Sequence, residues 1–154
     1  MTALANVIAD AVTEILDEVH ADFLDVDQTT PLELGLDVLN EQHRDYFDRE
    51  ESPTGEKWAP NAASTARKKG HDIVLQDSQD LIQSLVEGGP HAIREVVNEP
   101  AGAGLSHGTR VPYSGLHDEP SGNRPARRHV GAREENIDEI AGLALDHTLD
   151  ELSR

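Results

Sequence analysis

Ser52–Leu85 reads SPTGEKWAPNAASTARKKGHDIVLQDSQDLIQSL, and it holds the single Trp of the chain, a turn, a basic cluster and a switch from polar to apolar sequence. Pro53-Thr54-Gly55 predicts a turn, because proline presets φ and glycine accepts positive φ without steric cost. Trp58 follows, and Pro60 keeps its segment extended. Aromatic residues are only 3% of the chain, so one indole supplies much of the large apolar surface and Trp58 is read as a packing anchor. Beyond it, Ser64 to Lys69 predicts a short helix stopped by Gly70, with Arg67, Lys68 and Lys69 near its negative end. Ile73-Val74-Leu75 is expected to be buried. Asp77-Ser78 is expected to cap a turn of helix carrying Leu81, Ile82 and Leu85.

Upstream, Thr30-Pro31-Leu32-Glu33 has the form of a capping box with proline at the first helical position. A helix is therefore expected from there, burying Leu32, Leu36, Leu39, Tyr46 and Phe47. An earlier stripe, Leu4, Val7, Ile8, Ala11, Ile15, Leu16, Val19 and Phe23, has helical spacing with acidic residues on its other side. The chain thus divides into residues 1–30, an acidic amphipathic helix acting either as a core helix or as an arm on a neighbouring subunit, and 31–154, a single domain. A length of 154 residues suits one hydrophobic core rather than two.

Downstream, short apolar pieces at Ser84 to Val86, Ala92 to Val97 and Leu105 are broken by Gly88-Gly89-Pro90 and by Glu99 to Gly104, which predicts a small antiparallel sheet. Thr109 to Glu119 predicts a short helix on which Tyr113, Leu116 and His117 share a face, and Ser121-Gly122-Asn123 a loop. From Arg133 onward, Ile137, Ile140, Ala141, Ala144, Leu145, Leu149 and Leu152 predict a C-terminal amphipathic helix. The fold class that follows is α+β: a small, mostly antiparallel sheet packed with N-terminal helices and a C-terminal helix.

Five segments in order, SPTGEKWAP, STARKKG, VLQDSQDLIQSL, VPYSGLH and PARRHVG, resemble the phage virion morphogenesis family, the tail-completion or neck proteins of Mu-like phages and prophages. The family patterns are SPDGxxWxP, TLxxKK, LxDTGxLxxSL, VPYAxxHxxG and PARPFLG, and the resemblance spans most of residues 32 to 152. The chain departs from them in carrying Gln79 in place of glycine, Asp118 to Pro120 in place of Gln-Phe-Gly, and Arg128-His129 in place of Pro-Phe. The resemblance implies an α+β tail-completion-like domain over 31–154, with Trp58 and Tyr113 as structural anchors. It implies a structural virion protein, a head-tail joining or tail-terminating subunit, rather than an enzyme. Its partners would be further copies of itself in a ring, the connector or neck proteins and the tail tube, located in the virion after assembly in the host cytoplasm.

The charge pattern fits such a ring. A formal charge of −17 opposes a nucleic-acid-binding surface, which needs cations to displace phosphate counterions, and suits a channel wall past which DNA slides; it equally suits plain solubility or a salty host. Arg124, Arg127, Arg128 and Arg133 gather positive charge with only Glu134 and Glu135 nearby, so Arg124, Arg127 and Arg128 are the candidate subunit-contact residues.

Other chemistry finds less support. With no cysteine, disulfides and thiolate sites are excluded. The first residues carry no positive charge and no apolar run approaches the roughly 20 residues that cross a bilayer, so a soluble protein without a signal peptide and without membrane attachment is expected. Gly104-Leu105-Ser106-His107-Gly108 matches the G-x-S-x-G nucleophile elbow, with Asp118 and His129 following in the right order. A small serine hydrolase using Ser106 is therefore one alternative function, and an interaction module of prophage origin another. The eight histidines contain no H-E-x-x-H or other close ligand pair, and His117 is read as hydrogen-bonded to backbone beside Tyr113. No metal, cofactor or nucleotide site is expected.

Overall fold

The computed structural model describes residues 26–99 and 102–154, so the stripe over Leu4 to Phe23 lies outside the described residues. The fold is α+β. Helix α1 spans Thr29–Arg49, α2 Ala63–Lys69 and α3 Asp80–Val86; strands β1, Ala92–Glu99, and β2, Gly102–Thr109, form an antiparallel pair; a 3-10 turn spans Ser114–His117, and α4 is Glu134–Leu152. The α1 helix is the axis, packing against α4, α3 and both strands.

The start of α1 differs from the capping-box expectation. Gln28 is its cap, and the Asp27 carboxylate accepts from Thr29 N at 2.9 Å, so an aspartate earlier in the chain does the work assigned to Thr30. Gln28 is buried and donates to Thr148 Oγ1 at 2.7 Å, which places the start of the folded body before residue 31. Leu32, Leu39, Tyr46 and Phe47 are buried as expected, whereas Leu36 is half-buried. Helix α1 comes close to its neighbours at Gly35, where an added Cβ would lie 2.9 Å from Leu105 Cδ2 and 3.0 Å from Ile140 Cγ2. A side chain there would hold both β2 and α4 off the helix.

At the other end of α1, Tyr46, Phe47, Trp58, Val74, Leu81, Leu85 and Val111 form the apolar core. The Ile73-Val74-Leu75 piece contributes only Val74 fully, because its backbone turns at Leu75, φ 56°, and leaves Ile73 exposed. Ser84 to Val86 is the end of α3, not a strand: Leu81, Leu85 and Ser84 share the buried face of one helix. The amphipathic stripe of α4 is divided, with Ile140 and Ala144 half-buried while Ile137, Leu145, Leu149 and Leu152 are exposed.

Candidate functional site

The five resembling segments, separated by up to some seventy positions in the chain, meet at the C-terminal end of α1. The first forms a tight loop: Gly55 N donates to Ser52 O at 2.9 Å, Gly55 takes φ 82°, and Glu56 N donates to Ser52 Oγ at 3.1 Å. This loop sets the Trp58 indole edge-on to Phe47, with ring centroids 5.4 Å apart. Trp58 is buried, and its Nε1 donates to Arg128 O at 2.8 Å, joining the first segment to the fifth.

Arg127 does not join a surface patch. It is 8% exposed, and donates from Nε to Ala59 O at 2.8 Å and from a terminal nitrogen to Pro60 O at 2.9 Å. A guanidinium carries five N–H donors in a fixed fork, so it satisfies two successive carbonyls that the extended Trp58-to-Pro60 segment leaves unpaired. Burial pushes its pKa below the ordinary arginine value, with Glu50 opposing. Arg133 is likewise inside the molecule's own network, 2.6 Å from Glu51 and with its guanidinium 4.9 Å from the Tyr46 ring centre. Of the predicted basic contact, Arg128 is exposed and Arg124 half-exposed.

His129 is fully buried, in the place where the family pattern has phenylalanine. Its Nδ1 lies 3.0 Å from Arg127 O, which can only accept, so Nδ1 carries the proton and Nε2 accepts from the Ser114 hydroxyl at 2.8 Å. Burial holds its pKa below the usual histidine value, which keeps this arrangement neutral. The imidazole thus fills a ring-shaped space and ties the fourth segment to the fifth. Tyr113, predicted as an anchor, is instead exposed and lies at the rim, its hydroxyl 3.3 Å from Ser78 Oγ of the third segment. The His117 ring packs edge-on between Tyr113 and His129. The backbone bond expected of that ring is made by its own carbonyl, which accepts from Arg127 N; Nδ1 has no partner among the described residues.

Between these segments lies a cavity of about 300 Å³. Its wall takes Lys69 from the second segment, Leu75, Asp77 and Ser78 from the third, Tyr113 and His117 from the fourth and Arg127 from the fifth. Backbone strain collects around it: among the described residues, the non-glycine positions with positive φ are Glu50, Leu75 and Gln79. Gln79, φ 64°, is the cap of α3, so the Asp77-Ser78 cap expected there is not formed, and Ser78 Oγ donates to Asp80 instead. Glu50, φ 50°, ends α1, and its carboxylate accepts from Val74 N at 2.7 Å, which offsets the strain of a side chain in that conformation.

The G-x-S-x-G match lies wholly inside β2. Ser106 is exposed on the strand opposite Glu95, with no strand-to-helix turn at this point to form an elbow. His107 Nε2 is 3.0 Å from Asn40 Oδ1, on α1. Among the described residues, no group of three His, Asp or Glu side chains could hold a metal ion, and no helix is long and apolar enough to cross a membrane.

Sequence reasoning missed a polar seam along α1, where Asn40, Gln42 and His43 are buried among the apolar positions. A search for apolar period passes over them; the signal is their phase, since His43 follows Leu39 by four residues and precedes Phe47 by four. Comparison of the chain with family models, curated proteins and solved structures finds no match.

Proposed function

We propose that this chain is a structural virion protein, a neck or tail-completion subunit of a tailed phage or prophage, working as a ring of identical copies between the connector and the tail tube. The observation that carries the reading is the convergence of the second to fifth resembling segments on one cavity, with the first tied to the fifth by the Trp58 and Arg127 bonds and the fourth to the fifth by His129. Motifs matched by chance have no reason to be neighbours in space. Gln79 adds support: at the position where the family pattern has glycine, the backbone has φ 64°, the conformation that glycine adopts without penalty. Net charge of −17 gives such a ring a wall to which DNA does not adhere as it passes.

The test is deletion of the gene from its phage or prophage, with electron microscopy of the induced lysate. Separate filled heads and free or overlong tails, corrected by supplying the gene in trans, are the expected result. Complete infectious particles without the gene would overturn the proposal.

A further inference from the structure

Two surfaces of this chain are open and opposite in charge. The first is a groove of about 400 Å³ between α1 and α4. Its apolar part is the exposed Leu34 with the half-buried Val38 and Leu143. Its polar part carries Asp37, Glu41 and Glu139, and no Lys or Arg lines it. The carboxylates in ion pairs among the described residues are Asp45, Glu51, Glu95, Glu135 and Glu151, so these three have no cation partner there; Asp37 accepts only from the Asn40 amide, at 3.5 Å.

The floor of the groove is Gln42. It is 5% exposed, its Nε2 donates to Asn136 Oδ1, and its Oε1 has no hydrogen-bond partner among the described residues. A buried acceptor left unpaired is costly, and an incoming N–H removes that cost. The groove therefore suits cationic donors on aliphatic stems: charge for the three carboxylates, an N–H for the amide oxygen, and methylenes for Leu34, Val38 and Leu143.

The second surface is α2, Ala63–Lys69, of which no residue is buried. So short a helix has little stability of its own, since isolated helices below about 12–15 residues are marginal in water, and a covering surface would hold it. Arg67 and Lys68 in its last turn are exposed, and neither belongs to the paired cations Arg49, Lys57, Arg110, Arg133 and Arg154. Their neighbour Lys69 donates to Ile73 O at 2.6 Å, and Arg127 is committed to Ala59 O and Pro60 O. Arg44 is exposed as well, but it lies on the helix that forms the groove.

Both surfaces are open in the same chain, so a contact that joins them runs between copies. Residues 1–25 hold six acidic residues and no Lys or Arg, and their charge opposes entry into an acidic groove. We infer that the last turn of α2 of one copy, through Arg67 and Lys68, docks in the groove between α1 and α4 of the next copy. Unlike surfaces meet in this contact, the heterologous kind that closes rings. The inference rests on the proposed ring and names the joint that builds it. Each copy carries −17, but at physiological salt charges farther apart than about 8 Å are largely screened, so the groups that touch decide the contact.

The absence of native cysteine makes the contact open to cross-linking in the full chain. Two versions of different tag size, Ser64→Cys on α2 of one and Leu34→Cys at the groove of the other, are mixed at physiological salt and treated with a flexible bis-maleimide. Covalent heterodimer is expected severalfold above the yield obtained when Ser106→Cys on β2 replaces Leu34→Cys. Arg67→Glu with Lys68→Glu in the donor should bring the yield down to that control, and Glu41→Lys with Glu139→Lys in the acceptor should restore it. All these positions are exposed, so the fold tolerates the changes. A yield at the control level, as a groove reserved for some other basic partner would give, or a yield indifferent to the charge reversals, overturns the docking. Because the readout is a dimer of purified protein and not a particle, that failure leaves the virion role standing, and normal particles from a deletion strain would overturn the virion role alone.

Discussion

The two surroundings of α1 differ in kind. At its C-terminal end, Tyr46 and Phe47 meet Trp58, Val74, Leu81 and Leu85, and the Trp58 and Arg127 nitrogens are paired to backbone carbonyls. Along the flank facing α4 and the hairpin, contacts run through amides, hydroxyls and imidazoles: Gln28 to Thr148, Gln42 to Asn136, and Asn40 to His107, which lies against His43. Among the described residues seven buried polar atoms have no partner; four of them, Gln28 Oε1, Gln42 Oε1, His43 Nε2 and His107 Nδ1, lie on this flank, whereas His117 Nδ1 and Arg124 Nε lie outside it. An unpaired buried polar atom costs about 1–3 kcal/mol, so the flank gains much less from burial than the apolar end. The apolar end supplies stability, and the flank fixes the register of α4 against α1 at low net gain.

The comparison breaks first at Trp58. Trp58→Ala removes the largest buried side chain of the apolar end together with its bond to Arg128 O, and should cost about 3–5 kcal/mol in denaturant unfolding followed by circular dichroism. A cost below about 1 kcal/mol would mean that stability resides elsewhere. In the wild-type protein, Trp58 emission reports this end alone, and should be blue-shifted relative to the unfolded chain.

Acid should weaken both regions, the flank through His43 and His107 and the Trp58 end through His129. Burial lowers the His43 pKa to about 4 from an ordinary 6.5, with the Leu39 carbonyl opposing and His107 and His129 reinforcing the shift. Between those values the unfolded chain takes up a proton that the folded one refuses, so stability is complete above pH 6.5 and falls with pH until about 4. One such proton is worth about 1.4 kcal/mol per pH unit, or on the order of 3 kcal/mol over the window. Burial also depresses His107, which adds in the same direction. An acid titration should therefore show loss of stability across this window, His43→Leu should flatten the part of the slope owed to the flank, and the order in which helical circular dichroism and Trp58 emission change tells which region yields first. Coincident transitions in both probes would show the two regions to be one cooperative unit.

Thr148→Ala is a smaller perturbation, confined to the flank. It leaves the buried Gln28 Nε2 without its acceptor and should cost about 1–3 kcal/mol. Hydrogen exchange should quicken in α4 and at the start of α1 while α3 keeps its protection. Equal acceleration in α3 would remove the distinction between the regions.

How much of this was legible in the sequence depended on the same contrast. The apolar end was readable because its signals are local: a Pro-Thr-Gly turn before Trp58, a glycine stop after Lys69, and Leu81 and Leu85 one turn apart. The flank was not, because Gln28, Asn40, Gln42 and His43 announce burial only through partners 64 to 120 positions away. Within the candidate site the segments could be seen but not their use. Arg127 resembles a surface cation until Ala59 O and Pro60 O are found within its reach, and Tyr113 resembles an anchor although the 3-10 turn leaves it at the rim. Helix α4 was predicted correctly as a helix, but which half of its stripe is covered depends on the crossing at Gly35, which no period encodes.

The smallest expected effect is at Ser106, and its smallness is informative. The residue lies on β2, on the hairpin side of the polar flank, exposed and opposite Glu95, while its neighbour His107 bonds to Asn40 of α1. Its hydroxyl makes no hydrogen bond among the described residues, in contrast to Ser114, which donates to His129, and Ser84, which donates to Leu81 O. Removing an exposed, unbonded hydroxyl from a strand should change stability by no more than about 0.5 kcal/mol. A nucleophilic serine needs a base to take its proton and a turn that presents it, and β2 gives Ser106 neither. Ser106→Ala should therefore unfold at the wild-type denaturant concentration, and a fluorophosphonate probe should leave the wild-type protein unlabelled. Labelling that disappears in Ser106→Ala would mean that the hairpin carries chemistry as well as register, and the division of labour between the two sides of α1 would have to be redrawn.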